Sequence, residues 1–88
     1  MRFVATEKFE KSLSRLSYEN IKSVEKALGL LLENSRHPSL RVKRVKGTPD
    51  IWEVSATKSI RFTFSFLRED LIQLRNVGTH DQVFKPPY

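Results

Sequence analysis

Nowhere is the chain as regular as in Ile60-Arg61-Phe62-Thr63-Phe64-Ser65-Phe66-Leu67-Arg68-Glu69-Asp70-Leu71-Ile72-Gln73-Leu74-Arg75-Asn76-Val77-Gly78-Thr79-His80. Ile60, Phe62, Phe64 and Phe66 alternate with Arg61, Thr63 and Ser65, the two-residue period of a strand with one face on a core. Ile72 and Leu74 resume the alternation after Arg68-Glu69-Asp70, so the spacing predicts an antiparallel hairpin of Ile60–Leu67 with Leu71–Val77. A three-residue loop there sets Phe66 opposite Ile72, Ser65 opposite Gln73 and Thr63 opposite Arg75. Directly opposed residues share a face, so the apolar set is self-consistent.

Two more strands are expected upstream. Ile51–Thr57 adds Trp52, Val54 and Ala56 to the apolar face, provided that the turn at Lys58-Ser59 contains an odd number of residues. Gly47-Thr48-Pro49-Asp50 is a turn by residue type, and Leu40–Val45 before it is a basic strand. Ahead of Pro38 the period becomes helical. Thr6 can cap a helix running to about Leu16, with Phe9, Leu13 and Leu16 on one face. Ser17 caps a second, through Glu33, with Ile21, Val24, Leu28, Leu31 and Leu32 inward. Asn34-Ser35 and Pro38 end it. So short a connection makes the pair an antiparallel hairpin, and Arg2–Ala5 is a short leading strand. The expected fold class is α+β: an N-terminal strand and an α-helical hairpin on one face of a mainly antiparallel, four- to five-stranded sheet, residues 1–88 forming one domain. The helices then cover the aromatic face. Glu53, Ser55, Arg61, Thr63, Gln73 and Arg75 stay on an open face.

Net charge is +6, and it is uneven. Residues 1–35 hold six Lys/Arg against five Asp/Glu, whereas residues 36–88 hold ten against five. Arg36, Arg41, Lys43, Arg44 and Lys46 fall with His37 in a run without an acid. Such a run either neutralises phosphates or guards a solvated edge strand against aggregation. There is no cysteine, which fits a reducing compartment and rules out disulfide and thiolate–metal chemistry. No stretch approaches the ~20 apolar residues of a membrane span, and the start of the sequence lacks a signal peptide's apolar run. The simplest expectation is a cytoplasmic protein with no membrane partner.

His80 is one of two histidines and follows the last strand directly, beside the polar face. It is the side-chain type best suited to proton transfer near neutral pH. Arg61 and Arg75 on that face could hold a phosphate through charge-assisted bonds, or Arg61 could pair across strands with Glu53. Glu53 could orient an arginine or act as a base. Phe84 could stack on an unpaired base or fold back onto the core, while Tyr88 is expected to be mobile. His37 reads as a helix-end residue. Two distant histidines give no metal-ligand set.

Taken in order, the helix hairpin, Gly47-Thr48-Pro49-Asp50-Ile51-Trp52-Glu53, Ile60-Arg61-Phe62-Thr63-Phe64 and Arg75-Asn76-Val77-Gly78-Thr79-His80 resemble the RelE/ParE superfamily of bacterial toxin–antitoxin toxins. Gly78-Thr79-His80 with Phe84 is similar to the YafQ-type branch. The resemblance covers nearly the whole chain. It implies a ribosome-dependent, metal-independent mRNA endonuclease without a small-molecule cofactor, which uses the RNA's 2′-hydroxyl as nucleophile and leaves a 2′,3′-cyclic phosphate. It also implies a cognate antitoxin, with ribosome and mRNA as the other partners. By this resemblance Arg61 contacts the scissile phosphate, His80 is catalytic and Phe84 positions the RNA; Glu53, which has no counterpart in the family pattern, is the residue that could assist His80. Arg41, Lys43, Arg44, Lys46 and Arg75 grip phosphates. Where RelE has catalytic lysines on the third strand, this chain has Glu53 and Ser55. Where YafQ has a histidine and an aspartate in that hairpin, it has Ser55 and Lys58. Those departures keep two alternatives open: a ParE-like toxin of DNA gyrase that cuts no RNA, and a catalytically weak antitoxin-binding homologue.

Overall fold

Thr6 and Ser17 fix where the long helices begin. In the computed structural model, which describes residues 1–88, the Thr6 hydroxyl accepts from the Phe9 N–H and opens α1 (Glu7–Ser14). Ser17 likewise accepts from Asn20 and opens α2 (Tyr18–Glu33). Each cap satisfies a backbone donor that has no partner inside the helix, a contribution of ~1 kcal/mol. α1 ends before Leu16, because Arg15 and Leu16 donate to the Ser12 and Leu13 carbonyls in the tighter i→i+3 pattern.

The strands are β1 (Arg2–Ala5), β2 (Lys43–Arg44), β3 (Trp52–Ser55), β4 (Ile60–Arg68) and β5 (Leu71–Thr79). They form one sheet in the order β1-β5-β4-β3-β2. β1 runs parallel to β5 and every other pair is antiparallel. Phe62, Phe64, Ile72, Leu74 and Val54 on the sheet bury against Phe9 of α1 and Val24, Ala27 and Leu31 of α2. The Phe9 and Phe62 rings meet edge to face at 6.3 Å. The helices thus cover the aromatic face, as the alternation predicts. Phe66 departs from it: near the hairpin tip it stays 45% exposed and leans edge-on against Phe64.

The hairpin keeps the predicted parity by a different route. Phe66 opposes Ile72 and Ser65 opposes Gln73, but the turn is only Glu69-Asp70, with Arg68 opposite Leu71. A register shift absorbs Leu67. A second shift corrects the expected pairing of Thr63 with Arg75: Thr63 opposes Asn76 and Phe64 opposes Leu74, so Arg75 is the extra residue of a β-bulge. Its carbonyl accepts from the Thr6 hydroxyl at 3.1 Å, tying the bulge to the start of α1. β3 is shorter than Ile51–Thr57. Still, Ala56 and Thr57 both donate to the Ile60 carbonyl around an odd-numbered loop. That loop leaves Trp52 opposite Phe64 and Val54 opposite Phe62.

The expected Leu40–Val45 strand shrinks to Lys43–Arg44. Pro38–Leu40 forms a 3-10 turn capped by His37, whose Nδ1 accepts from the Ser39 N–H. Arg41 then takes φ 49°, a left-handed conformation that no strand accommodates. The polar face is not open either. Glu53, Thr63 and Ser65 are 7%, 0% and 5% exposed. The tail closes over this side: the Tyr88 carbonyl accepts from Arg75 Nε at 3.1 Å, and the Pro87 carbonyl accepts from Lys8 Nζ at 2.7 Å. Tyr88 is therefore docked rather than mobile.

Candidate functional site

β5 continues past Val77, placing Gly78 opposite Arg61 and Thr79 opposite Ile60. Thr79 then caps a short helix, α3 (His80–Val83). Its hydroxyl accepts from the Gln82 N–H, and Gln82 Oε1 accepts from the Thr79 N–H at 2.9 Å, a reciprocal capping box. A Cβ on residue 78 would sit 2.5 Å from Gln82 Oε1, so the glycine makes room for the second of those bonds. His80 is the first residue of α3 rather than a loop residue, and Val83 anchors the helix at 0% exposure. One helical turn brings Phe84 over His80, ring centroids 4.5 Å apart. Phe84 is half-buried, its ring set against His80 and partly accessible.

A cavity of about 310 Å³ opens between this helix and the sheet, lined by Lys43, Val45, Lys46, Glu53, Arg61, His80, Phe84 and Tyr88. Arg61 forms its wall on β4. Nη1 donates to Ser55 Oγ across the β3–β4 pair and to the Thr57 carbonyl at 3.2 Å. Neither acceptor is charged. The cross-strand ion pair with Glu53 does not form, because Glu53 opposes Thr63 and lies 3.7 Å from Lys43 Nζ. Arg61 thus stays oriented while no acid neutralises it, and its remaining N–H donors are unpaired within the chain. Those are the properties required to receive a phosphate. The His80 side chain is 67% exposed at the cavity mouth, and its 3.8 Å contact with the open Asp81 carboxylate is too solvated to immobilise it.

Six of the nine residues singled out from the sequence therefore meet in one cavity: Lys43, Lys46, Glu53, Arg61, His80 and Phe84. Arg41 lies next door. With Lys58 and Arg61 it lines an adjoining cavity of about 630 Å³, so Arg61 is a wall common to both. Arg44 points the other way: it opposes Trp52 in the register and stacks over that ring, 5.9 Å from its centroid. Arg75 is drawn off at the bulge, where it bonds Tyr88, Gln73 and Ser65. His37 caps its turn beside a separate apolar groove with Arg36, Trp52, Phe64 and Phe66. No three His, Cys, Asp or Glu side chains cluster as metal ligands, and no helix is long and apolar enough to cross a membrane.

Sequence reasoning missed Tyr88, Lys58 and the helical state of His80. For the helix a signal existed, the Thr79-x-x-Gln82 capping box. Lys58 is a lone cation in a turn, with no pattern around it that marks a site. Nothing in the sequence marks Tyr88.

Chemically, the cavity offers an exposed imidazole, a buried carboxylate, an unneutralised guanidinium, two lysines and two aromatic rings. That set suits proton transfer beside an anionic group, with a flat ring held nearby.

No protein-family model matches the sequence, and no curated protein matches it. Solved structures do. YafQ from E. coli strain BL21(DE3) superimposes with a TM-score of 0.79 at 11% identity, covering 94% of this chain and 97% of that one. The YoeB/ParE toxin from Agrobacterium tumefaciens gives 0.76 at 13% identity over 91% and 99% of the two chains. The intact E. coli RelBE toxin–antitoxin complex gives 0.68 at 18% identity over 88% and 93%. This chain has the RelE/ParE toxin fold. The sequence resemblance and the topology agree on that fold from one end of the chain to the other, with β1 at the parallel edge and the helices on the aromatic face.

Proposed function

We propose that this chain is the toxin of a type II toxin–antitoxin system, a cytoplasmic single-domain endoribonuclease that cleaves mRNA on the ribosome and so inhibits translation. The observation that carries this reading is the meeting of His80, Phe84, Arg61 and Glu53 with Lys43 and Lys46 in one cavity of a RelE/ParE fold.

In the proposed reaction a ribose 2′-oxygen attacks the adjacent phosphorus as the P–O5′ bond breaks, giving a 2′,3′-cyclic phosphate and a 5′-hydroxyl. One group takes the 2′-hydroxyl proton and another delivers a proton to O5′; His80 and Glu53 are the candidates for these two transfers. Arg61, held by neutral acceptors, meets the charge that builds on the phosphorane, and the lysines add to that field. Phe84 stacks on an unpaired base and aligns the ribose, since in-line attack depends on geometry before it depends on acidity. The chemistry needs no metal. Arg41 and Lys58, in the adjoining cavity, continue the basic lining along which the rest of the messenger would pass.

Two alternatives draw on one observation: the third strand carries Glu53, which lines the cavity, and Ser55, and has no lysine. The chain would then be a ParE-like toxin of DNA gyrase, or an antitoxin-binding homologue with weak catalysis. Primer extension on mRNA with programmed ribosomes separates the readings. Codon-phased cuts that vanish in His80→Ala and Arg61→Ala support the nuclease. Intact RNA alongside trapped gyrase–DNA complexes supports the second, and intact RNA without such complexes the third.

A further inference from the structure

On its other side α3 borders a second cavity, of about 400 Å³, between α1 and the end of β5. Lys8, Arg15 and Lys85 bring three cations to it, and no acid lines it. Ser12, Asn76 and Gln82 supply polar groups. Asn76 is the informative one. It is 4% exposed, and its carboxamide oxygen accepts from the Ser12 hydroxyl at 3.0 Å and from the Val77 N–H at 2.9 Å. Those two bonds fix the amide and leave its NH2 without a partner in the chain, on the wall of a cation-lined cavity. Thr63 Oγ1 is the only buried side-chain polar atom without a partner, so the Asn76 NH2 is open to the cavity and free to donate to a bound acceptor. Lys8 Nζ donates to the Pro87 carbonyl at 2.7 Å, which leaves it two further N–H donors. Among the lining side chains the nitrogen groups still free, on Lys8, Arg15, Asn76, Gln82 and Lys85, are all donors, and the Gln82 oxygen is engaged in the capping box.

From this donor-rich, acid-free lining we infer that the cavity is a binding site for a phosphate group, separate from the cavity that holds His80 and Arg61. The Asn76 amide NH2 and the Arg15 guanidinium bind phosphate oxygens, and Lys8 and Lys85 supply compensating charge. The phosphate can be a phosphodiester of a nucleic-acid strand or a free phosphate. The inference needs neither His80 nor Arg61, and it stands whether or not the chain cleaves RNA.

Backbone amide NMR of the full chain tests it. Inorganic phosphate and a single-stranded 2′-deoxy tetranucleotide, which cannot be cleaved through a 2′-hydroxyl, serve as probes at constant ionic strength. Saturable shifts at Ser12, Arg15 and Val77 are expected with at least one of them. Saturation by inorganic phosphate assigns the site to free phosphate; saturation by the tetranucleotide alone assigns it to a phosphodiester. Arg15→Gln with Lys85→Gln removes two exposed cations, and affinity should fall at least roughly tenfold, as expected for charge-assisted bonds. Asn76→Asp keeps the oxygen that Ser12 and Val77 need but replaces the donor with an acceptor. It should abolish the shifts while the rest of the spectrum stays native. Absence of shifts with both probes overturns the inference, and so does unchanged affinity in the double variant.

Discussion

Arg61 Nη1 on β4 donates to Oγ of Ser55, its directly opposed neighbour on β3, so a serine, not a carboxylate, sets the direction of the guanidinium. Hydrogen bonds to charged groups contribute about 1.5–3 kcal/mol. Ser55→Ala should therefore lower the cleavage rate by roughly tenfold or more through disorder of Arg61. Ser55→Thr, which restores the hydroxyl, should recover most of it. Single-turnover cleavage of ribosome-bound mRNA gives the comparison. Equal rates for the serine and alanine forms would remove Ser55 from the account.

Arg61 itself should not tolerate lysine. Its planar fork is held at one nitrogen and presents the others to the cavity, a geometry that an ammonium cannot copy. Arg61→Ala should cost ~10²–10³-fold in rate, the usual loss when a donor to transition-state charge is removed. Arg61→Lys should recover less than a tenth of wild-type activity, measured in the same assay.

The Thr79–Gln82 capping box is what aims His80. Gly78→Ala would drive a methyl group against Gln82 Oε1 and break its bond to the Thr79 N–H. Loss of a cap costs ~1 kcal/mol. Thermal unfolding should thus show a small loss of stability, whereas cleavage should fall by a much larger factor as His80 and Phe84 lose their register. Gln82→Ala should reproduce both effects in milder form.

Thr63 makes a prediction about stability alone. It is 0% exposed, and its hydroxyl has no hydrogen-bond partner. An orphaned buried hydroxyl costs about 1–3 kcal/mol, and valine has the same shape without the polar atom. Thr63→Val should leave the fold intact and raise the urea midpoint. A lower midpoint would mean that the hydroxyl is satisfied in solution.

How much of this was legible in the sequence depended on whether a residue type carries the feature. Phe62 and Phe64 alternating with Thr63 and Ser65 announce a strand with one buried face, and Thr6 and Ser17 announce helix starts, because only a few side chains cap well. The bulge at Arg75 left no such mark. An extra residue in a strand changes the register without requiring a particular side chain, so Arg75 was expected opposite Thr63 and beside the site. Arg41 is similar: nothing about an arginine signals a left-handed φ, and so the sequence predicts a longer basic strand than the one that forms. Among the site residues, Arg61 and His80 could be named from their positions beside alternating strands. The closure of the polar face could not, since it rests on backbone carbonyls of Pro87 and Tyr88 reached by Lys8 and Arg75 from distant parts of the chain.

Primer extension on mRNA carried by programmed ribosomes, comparing wild type with His80→Ala, tests the central claim most directly. Positioned acid–base groups contribute ~10²–10⁴-fold. The wild type should leave codon-phased 3′ ends bearing cyclic phosphate, and His80→Ala, folded to the same extent, should lower their yield by that factor. Full-length messenger with wild-type protein, or cuts of equal strength with His80→Ala, would contradict the account.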